Sequence, residues 1–146
     1  MDKTRVLFLC TENAARSQMA EAFLNSLAPN EYQAVSAGLK PSTVHPMTVQ
    51  VMKEAGMDLE ELGHTSKSLI EEFFDKQVYV GYLITVCSRA EKNCPIYPWA
   101  GKREFWDLED PAAFEGTEEE KLIKFRQIRD RIESRVREFV QKHTSS

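Results

Sequence analysis

A cysteine and an arginine lie six positions apart near the N-terminus, in the segment CTENAARS that runs from Cys10 to Ser17. The residues just before it are mostly apolar strand formers, whereas apolar residues from Met19 onward recur four apart, as on one face of a helix. A loop that leads from a strand into a helix points backbone N–H groups and the positive end of the helix dipole at one small volume. The segment therefore predicts a binding site for an anion.

The thiol of Cys10 opens this loop, where the same N–H donors would stabilise a thiolate. Arg16 can direct two N–H groups at two oxygens of a tetrahedral oxyanion, and Ser17 adds a hydroxyl donor. We expect Cys10 to be the nucleophile and the residues after it to bind the oxyanion: Thr11, Glu12, Asn13, Ala14, Ala15, Arg16 and Ser17. A purely structural cysteine is the alternative, because this spacing of cysteine and arginine also arises by chance.

Two further cysteines lie in the second half of the chain. Cys87 ends the apolar run YLITV, which is typical of a central parallel strand, and Cys94 lies in a polar loop between prolines. Because ligands gather at the C-terminal ends of parallel strands, we expect Cys10 and Cys87 at the same sheet edge. Zinc binding is disfavoured, since neither paired cysteines nor a nearby histidine complete a ligand set. A core thiol remains the alternative for Cys87.

Three thiols suggest a redox relay. Cys10 would attack the bound oxyanion, Cys87 would attack the Cys10 sulfur and release the reduced product, and Cys94 would then attack Cys87. If Cys87 and Cys94 pair, the segment between them must be a loop or an unwinding helix, because a helix would hold their Cα atoms about 10 Å apart.

An acidic turn, DLEDP, supplies candidates for a general acid. Asp110 precedes a proline in a loop that could overhang Cys10, and a carboxyl group there could protonate a departing oxygen. Asp107 and Glu109 are nearby candidates for the same role. The structural alternative for Asp110 is an aspartate that only forms or caps the turn.

The elements that position these residues follow from the periodicity of apolar residues. Strands are predicted at Arg5–Leu9, Tyr32–Ala37 and Tyr82–Val86, with a short edge strand at Glu104–Trp106 and a loop at Glu91–Gly101. Alternation of strands with helices predicts a three-layer α/β fold with a four-stranded parallel sheet.

Helices are predicted after the first loop and at three later places. Met47–Ala55 forms a short helix, and Ser66 is predicted to cap another, with Leu69, Ile70, Phe73 and Phe74 as its apolar side. The pattern Thr117 to Glu120 predicts a capping box that opens a long final helix. Its apolar stripe consists of Leu122, Phe125, Ile128, Ile132, Val136 and Phe139.

Length and composition limit the classes of protein. A chain of 146 residues fits one domain, 1–146, that buries a core without disulfides. A net charge of −4 argues against nucleic-acid binding, and we expect no membrane association because no apolar stretch could span a bilayer. Three cysteines, an odd number, indicate reactive thiols in a reducing compartment. We therefore expect a soluble, cytoplasmic monomer.

The chain resembles the thioredoxin-coupled arsenate reductases, which share the fold of the low-molecular-weight protein tyrosine phosphatases. The resemblance lies in VLFLCTENAARSQMAEAF, VSAG, GHTSKSL, ITVCSRAEKNCPIYPWAGKREFWDLEDPAA and the last helix, and so covers nearly the whole chain. The first loop fits either group. The Cys87 and Cys94 pair, followed by Trp106 and Asp110-Pro111, is specific to the reductases.

The resemblance implies that the protein reduces arsenate to arsenite, with thioredoxin as electron donor and no cofactor. It assigns Cys10 as nucleophile, Arg16 and the loop amides as oxyanion binders, and Asp110 as general acid. Cys87 and Cys94 would be the resolving thiols, while phosphate and sulfate would compete with arsenate. A phosphohydrolase that needs only Cys10, Arg16 and Asp110 is the alternative. A module that binds oxyanions or senses redox state without turnover is a third possibility.

The chain departs from some of these relatives at three positions. Some bind potassium through side chains that match Asn13, Glu21 and Ser36, but Lys67 stands here where they carry an aspartate, so its ammonium is expected to replace the ion. Glu12 replaces a glycine inside the loop and should face solvent, because an inward carboxylate would repel arsenate. Ala15 replaces a cysteine and leaves fewer thiols open to oxidation.

Overall fold

A computed structural model describes residues 3–88 and 96–144. Its centre is a sheet of four strands: β1 Thr4–Cys10, β2 Tyr32–Gly38, β3 Val80–Thr85 and β4 Ala100–Phe105. The strand order is β2-β1-β3-β4, and every neighbouring pair is parallel. Helical segments pack on both faces of the sheet, so the predicted three-layer α/β fold is confirmed.

β1 occupies the middle of the sheet because its apolar residues can be buried on both faces. Its side chains alternate between two core clusters, with Val6, Phe8 and Cys10 in one and Leu7 and Leu9 in the other. The strand exceeds the predicted Arg5–Leu9 by one residue at each end. This extension makes Cys10 the last residue of the strand, so its thiol is held by the sheet rather than by a loop.

Three helices cover the face of the sheet that bears Val6 and Phe8. They are α1 Arg16–Leu27, α2 Pro46–Glu54 and α3 Glu118–Thr144, and each contributes side chains to the larger core cluster. The predicted stripe of α3 is confirmed, since Phe125, Ile128, Ile132, Val136 and Phe139 are buried and Leu122 packs against them. Within the described residues, no helix combines the length and apolar character that crossing a membrane requires.

The predicted capping box begins α3. The Glu120 carboxylate accepts the Thr117 N–H at 2.8 Å, and the Thr117 hydroxyl accepts the Glu120 N–H at 3.1 Å. These two bonds satisfy backbone donors that have no partner within a helix. α2 also starts one residue earlier than predicted, at Pro46, because His45 caps it.

Among the described residues, a π-helical turn, Ile70–Phe74, covers the opposite face of the sheet together with Tyr97 and Trp99. The Asp75 N–H bonds to the Ile70 carbonyl five residues back, at 2.8 Å. This wider turn changes which side chains point inward. Phe73 packs on the sheet, while Ile70 and Phe74 are 41% and 39% exposed, so the predicted four-residue apolar side is wrong for these two.

Ser66 does not cap this segment, contrary to prediction. Its hydroxyl donates to the Glu12 carbonyl at 2.9 Å and accepts the Ser42 N–H at 2.9 Å, so it joins two loops instead. The capping bond comes from the Ser68 hydroxyl, which accepts the Glu71 N–H at 3.1 Å.

The two remaining strands differ from prediction in their bounds. β3 begins and ends earlier than Tyr82–Val86, and β4 begins at Ala100 rather than Glu104. The predicted loop at Glu91–Gly101 is therefore wrong at its last two residues, and its residues 91–95 lie outside the described residues. β4 lies at the edge of the sheet and carries mostly exposed, polar side chains, which lack the apolar alternation of a covered strand.

Candidate active site

The loop between β1 and α1 wraps around the Cys10 sulfur. This anion loop, Thr11–Ala15, places the Asn13 N–H 3.2 Å from the sulfur, and the Ser17 hydroxyl lies 3.0 Å from it. Asn13 has a φ of 55°, the left-handed conformation that asparagine tolerates better than most residues.

Ser17 is held next to the thiol. The Asn13 side-chain amide donates to the Ser17 oxygen at 2.7 Å, which leaves the hydroxyl proton available to a Cys10 thiolate 3.0 Å away. Asn13 is itself fixed, because its side-chain oxygen accepts the Lys67 N–H at 2.8 Å. A chain of hydrogen bonds thus ends on the sulfur and fixes its position at the base of the loop.

Among the described residues, no side chain caps the first turn of α1, whose N-cap residue is Ala15. Backbone N–H groups at the start of a helix need an acceptor, and the helix dipole makes an anion the best one. The anion loop and the first turn of α1 therefore have the chemistry that suits an oxyanion next to the Cys10 thiol.

Arg16 is held over the site by two groups from the loop after β4. Its guanidinium donates to the Leu108 carbonyl at 2.9 Å and lies 3.7 Å from the Asp110 carboxylate. Asp110 is fixed in turn by accepting the Ala112 N–H at 3.0 Å, as the cap of the short 3-10 helix Pro111–Ala113. The side chain of Arg16 is 3% exposed, so its charge acts in a largely dry environment.

A cavity of about 130 Å³ opens above the thiol. Seven of the predicted site residues line it, namely Cys10, Thr11, Glu12, Ala14, Ala15, Arg16 and Asp110. Asn13 and Ser17, also predicted, are fully buried behind the loop, where they orient it. Glu12 is exposed and also lines the cavity, so the expectation that its carboxylate faces solvent stays a prediction.

The remaining wall of the cavity was not predicted. Ser42, Thr43, His45, Pro46 and Ala112 complete the lining. The backbone N–H of His45 and the hydroxyl of Thr48 both bond to the Ala14 carbonyl, at 3.0 and 3.1 Å, and join this wall to the anion loop. These contacts are long-range in sequence, so periodicity and short motifs carry no signal for them.

Cys87 is fully buried in the same core cluster as Cys10. β1 and β3 are neighbours, Leu9 is level with Thr85, and the Val86 N–H donates to the Leu9 carbonyl at 2.8 Å. Cys87 therefore follows one residue beyond the level of Cys10 on the adjacent strand, and neighbouring strands are about 4.8 Å apart. The predicted convergence of these two cysteines on one sheet edge is present.

The other predicted candidates occupy different positions. Cys94 lies outside the described residues, so its approach to Cys87 stays a prediction. Glu109 forms an ion pair with Lys124 at 2.9 Å and does not line the cavity. Asp107 is also absent from the lining, so among the three acidic candidates Asp110 is the one beside the thiol.

Gln18 and His64 support the anion loop from behind and were not predicted. The Gln18 side-chain amide donates to the Asn13 and Thr65 carbonyls, both at 2.9 Å, and its oxygen lies 2.9 Å from His64 Nδ1. Because the Gln18 nitrogen donates to two carbonyls, its oxygen must accept from the imidazole. The sequence holds no signal for this arrangement, since His64 is 46 residues away.

Burial lowers the pKa of His64, whereas the nearby Glu21 carboxylate raises it and the Lys67 ammonium lowers it. The folded chain therefore resists a proton that the unfolded chain takes up below about pH 6.5. Because the unfolded state then binds more protons, the free energy of unfolding falls as the pH drops below this value and levels off below the folded-state pKa.

We accordingly expect a smaller acid-induced loss of stability in His64→Gln than in the wild type. Between about pH 7.5 and pH 5.5 the difference should be roughly 1 kcal/mol, measured by urea unfolding at both values. Glutamine keeps a donor toward Gln18, so the loop support is retained. If the free energy of unfolding fell equally in the two proteins on acidification, this role of His64 would be contradicted.

A family model described as low molecular weight phosphotyrosine protein phosphatase matches residues 5–145. The chain belongs to this family. The matched residues include the end of β1, the anion loop and α1.

Relatives in this family include arsenate reductases. One from Halalkalibacterium halodurans is 39% identical over 97% of this chain and 98% of its own length. A solved arsenate reductase in the phosphate-binding state has a TM-score of 0.77 at 31% identity, covering 95% of this chain and 98% of that one. A thioredoxin-dependent arsenate reductase from Corynebacterium glutamicum has a TM-score of 0.69 at 29% identity, and the match covers 96% of this chain and 61% of that one. The resemblance to arsenate reductases predicted from the sequence is confirmed.

Proposed function

We propose that the protein is a thioredoxin-dependent arsenate reductase that passes electrons through Cys10, Cys87 and Cys94. The observation that carries the proposal is the second buried thiol, Cys87, on the strand next to the one that ends in Cys10. A phosphatase of this fold needs one nucleophile, an anion clamp and an acid. A second thiol at the adjacent strand end lets the first be oxidised and then released by disulfide exchange.

Arsenate would bind in the cavity above the Cys10 sulfur. The N–H groups of the anion loop and the first turn of α1 would surround three of its oxygens, and the Arg16 guanidinium would supply a full positive charge. A volume of about 130 Å³ suits a small tetrahedral anion. Phosphate and sulfate have the same shape and would compete for the site.

The first chemical step would join sulfur to arsenic. The Cys10 thiolate attacks arsenic(V), and an oxygen leaves as water after taking a proton from the Asp110 carboxyl group. Hydrogen bonds from Asn13 and Ser17 hold the thiolate for this attack. Arsenic remains in the +5 state in the resulting Cys10 adduct.

The second step would reduce arsenic. The Cys87 thiolate attacks the Cys10 sulfur, a disulfide forms between them, and the electron pair of the sulfur–arsenic bond leaves with arsenic as arsenite. Cys94 then attacks Cys87, which returns Cys10 as a thiolate and leaves a Cys87–Cys94 disulfide. Thioredoxin would reduce that disulfide. The thioredoxin dependence of the similar Corynebacterium glutamicum reductase supports this choice of donor.

Replacing Cys87 with serine tests the relay. Cys87→Ser should lower arsenate turnover, followed as NADPH consumption with thioredoxin and thioredoxin reductase, by at least about 10³-fold, because a hydroxyl cannot resolve the Cys10 adduct. Hydrolysis of an aryl phosphate should stay within about twofold, since that reaction needs only Cys10, Arg16 and Asp110. Arsenate turnover that survives the substitution would refute the relay.

A phosphohydrolase is the second candidate function. It is favoured by the family match and by the presence of Cys10, Arg16 and Asp110 around one cavity. Against it, the imidazole of His45 is the sole aromatic group that the described residues contribute to the lining, so an aryl phosphate ring has little surface to stack on. An efficient aryl phosphatase with no arsenate turnover would establish this alternative.

The structure supports the expectation that Lys67 replaces a potassium ion. Its ammonium lies 3.8 Å from the Glu21 carboxylate and donates to the Thr65 carbonyl at 2.9 Å. The same carboxylate accepts the Ser36 hydroxyl, and Asn13 bonds to the Lys67 backbone. A cation at these side chains would be repelled by the ammonium, so the residues present do not suit a potassium ion. Within residues 3–88 and 96–144, no group of three or more His, Cys, Asp or Glu side chains is placed to hold a metal ion.

Potassium should therefore leave arsenate turnover unchanged within about twofold when it replaces sodium at constant ionic strength. Lys67→Asp should make turnover respond to potassium, because it returns a carboxylate beside Glu21 and removes the competing ammonium. Initial rates over a potassium titration measure both effects. A marked stimulation of the wild type by potassium would overturn the role assigned to Lys67.

A further inference from the structure

His45 lies at the start of α2 and lines the cavity together with Cys10 and Asp110. Its backbone N–H donates to the Ala14 carbonyl of the anion loop at 3.0 Å, which fixes the main chain beside the site. Its ring packs on Phe125 of α3, with ring centroids 4.8 Å apart and planes inclined by 39°. The imidazole is therefore a rigid part of the cavity wall.

The hydrogen bond at Nδ1 determines where the ring carries its proton. Nδ1 accepts the Met47 N–H at 3.1 Å and so caps α2. An accepting Nδ1 has no hydrogen, so the neutral imidazole carries its proton on Nε2. The ring thus has one N–H donor and no remaining acceptor.

The charges around the ring come from three elements. Burial lowers the pKa of His45, the carboxylates of Asp110 and Glu12 raise it, and the Lys121 ammonium of α3 lowers it. Asp110 and Glu12 also line the cavity, so the imidazole shares the electric field that acts on a bound anion. Because burial is the largest of these effects and lowers the pKa, the ring is neutral at neutral pH and takes up a proton only at a lower pH than an exposed histidine does.

We propose that His45 is an oxyanion-binding residue, whose Nε2–H donates to an oxygen of the tetrahedral anion held above Cys10. The inference rests on the proposed function, in which this cavity holds arsenate, and adds a donor from α2 to those of the anion loop and Arg16. Protonation of the ring would place a hydrogen on Nδ1, so that the Met47 N–H loses its acceptor, and would add a second positive charge beside the anion. The site should then bind dianionic tetrahedral oxyanions more tightly in mild acid.

Sulfate binding, measured by calorimetry at constant ionic strength, isolates this effect because sulfate keeps its two charges between about pH 5.5 and pH 7.5. The matched variant is His45→Asn, whose side-chain oxygen can still accept the Met47 N–H and cap α2. We expect His45→Asn to bind sulfate about fivefold more weakly at the higher pH, through loss of one hydrogen bond. The tightening of sulfate binding from the higher to the lower pH should be larger in the wild type than in the variant, which has no imidazole to protonate.

A second variant separates the donor from the cap. His45→Ala loses both the N–H donor and the acceptor that caps α2. Its melting temperature should therefore fall by about 4 °C, while that of His45→Asn stays near the wild type. Both variants should nevertheless bind sulfate equally weakly. Equal sulfate affinity and equal pH dependence in the wild type and His45→Asn would overturn the proposal.

Turnover distinguishes this inference from the proposed function. If thioredoxin-coupled arsenate reduction is absent but sulfate binding depends on His45, the proposed function fails and the anion site stands. If arsenate is reduced but sulfate affinity does not depend on His45, only the present inference fails.

Discussion

Cys10→Ser should abolish both arsenate reduction and aryl phosphate hydrolysis, with losses of at least about 10⁴-fold in each. A serine hydroxyl at the end of β1 would stay protonated and is a far weaker nucleophile than a thiolate held by the Asn13 N–H and the Ser17 hydroxyl. Sulfate should still bind, because its partners in the anion loop and Arg16 remain. The two activities, measured beside sulfate calorimetry, therefore separate binding from attack.

Ser17→Ala is the matched control for this prediction. It leaves the thiol in place but removes the hydroxyl that Asn13 holds next to it. One hydrogen bond to a charged group corresponds to a loss of about 10- to 100-fold. Two outcomes would contradict the mechanism: activity of Cys10→Ser within tenfold of the wild type, or a larger loss in Ser17→Ala than in Cys10→Ser.

The parts of the fold that the sequence predicted are those with long, regular apolar patterns. β1 and α3 were located to within a few residues, because one is apolar on both faces and the other shows a stripe over several turns. The convergence of Cys10 and Cys87 also followed from a general rule, that parallel strands end at one edge of their sheet. Local pattern and topology were sufficient there.

Prediction failed where packing or hydrogen bonding overrides the local pattern. Ile70 and Phe74 were assigned to the apolar side of a helix with a 3.6-residue period. The π-helical turn has a longer period and leaves them 41% and 39% exposed, while the Phe74 ring still contacts Trp99 and Tyr97. β4 has little apolar alternation because it lies at the sheet edge. These segments are short, so few residues carry the evidence for their conformation.

The sequence predicted the reactive groups of the site, but only some of the residues that hold those groups in place. Cys10, Arg16 and Asp110 were identifiable because a thiol, a guanidinium and a carboxyl group are the usual nucleophile, anion binder and general acid. Gln18 and His45 were not, since a glutamine in a helix and a histidine before a proline are ordinary residues. Their importance comes from hydrogen bonds to Asn13, Met47 and Ala14, which only the folded chain brings together.

Gly38→Ala should destabilise the protein by about 3 kcal/mol or more and remove anion binding with it. Gly38 ends β2 and pairs with Cys10 on β1. A Cβ atom there would lie 2.8 Å from backbone atoms of Thr11, Glu12 and Asn13. Backbone cannot yield like a flexible side chain, so the methyl group must displace either the anion loop or the end of β2. Because the Lys40 N–H after β2 bonds to the Thr11 carbonyl at 2.8 Å, either displacement shifts the loop that carries the Asn13 N–H toward the Cys10 sulfur.

Gly63→Ala separates this close contact from the general cost of replacing glycine. Gly63 has a φ of 79°, and a Cβ added to it would meet no described residue within 4 Å apart from its chain neighbours. Its replacement should cost only about 1 kcal/mol of conformational strain and leave sulfate affinity unchanged. Urea unfolding and sulfate calorimetry on both variants measure the contrast. If Gly38→Ala kept the wild-type affinity for sulfate, the anion loop would not depend on the close approach of β2, and the geometry assigned to the oxyanion site would be wrong.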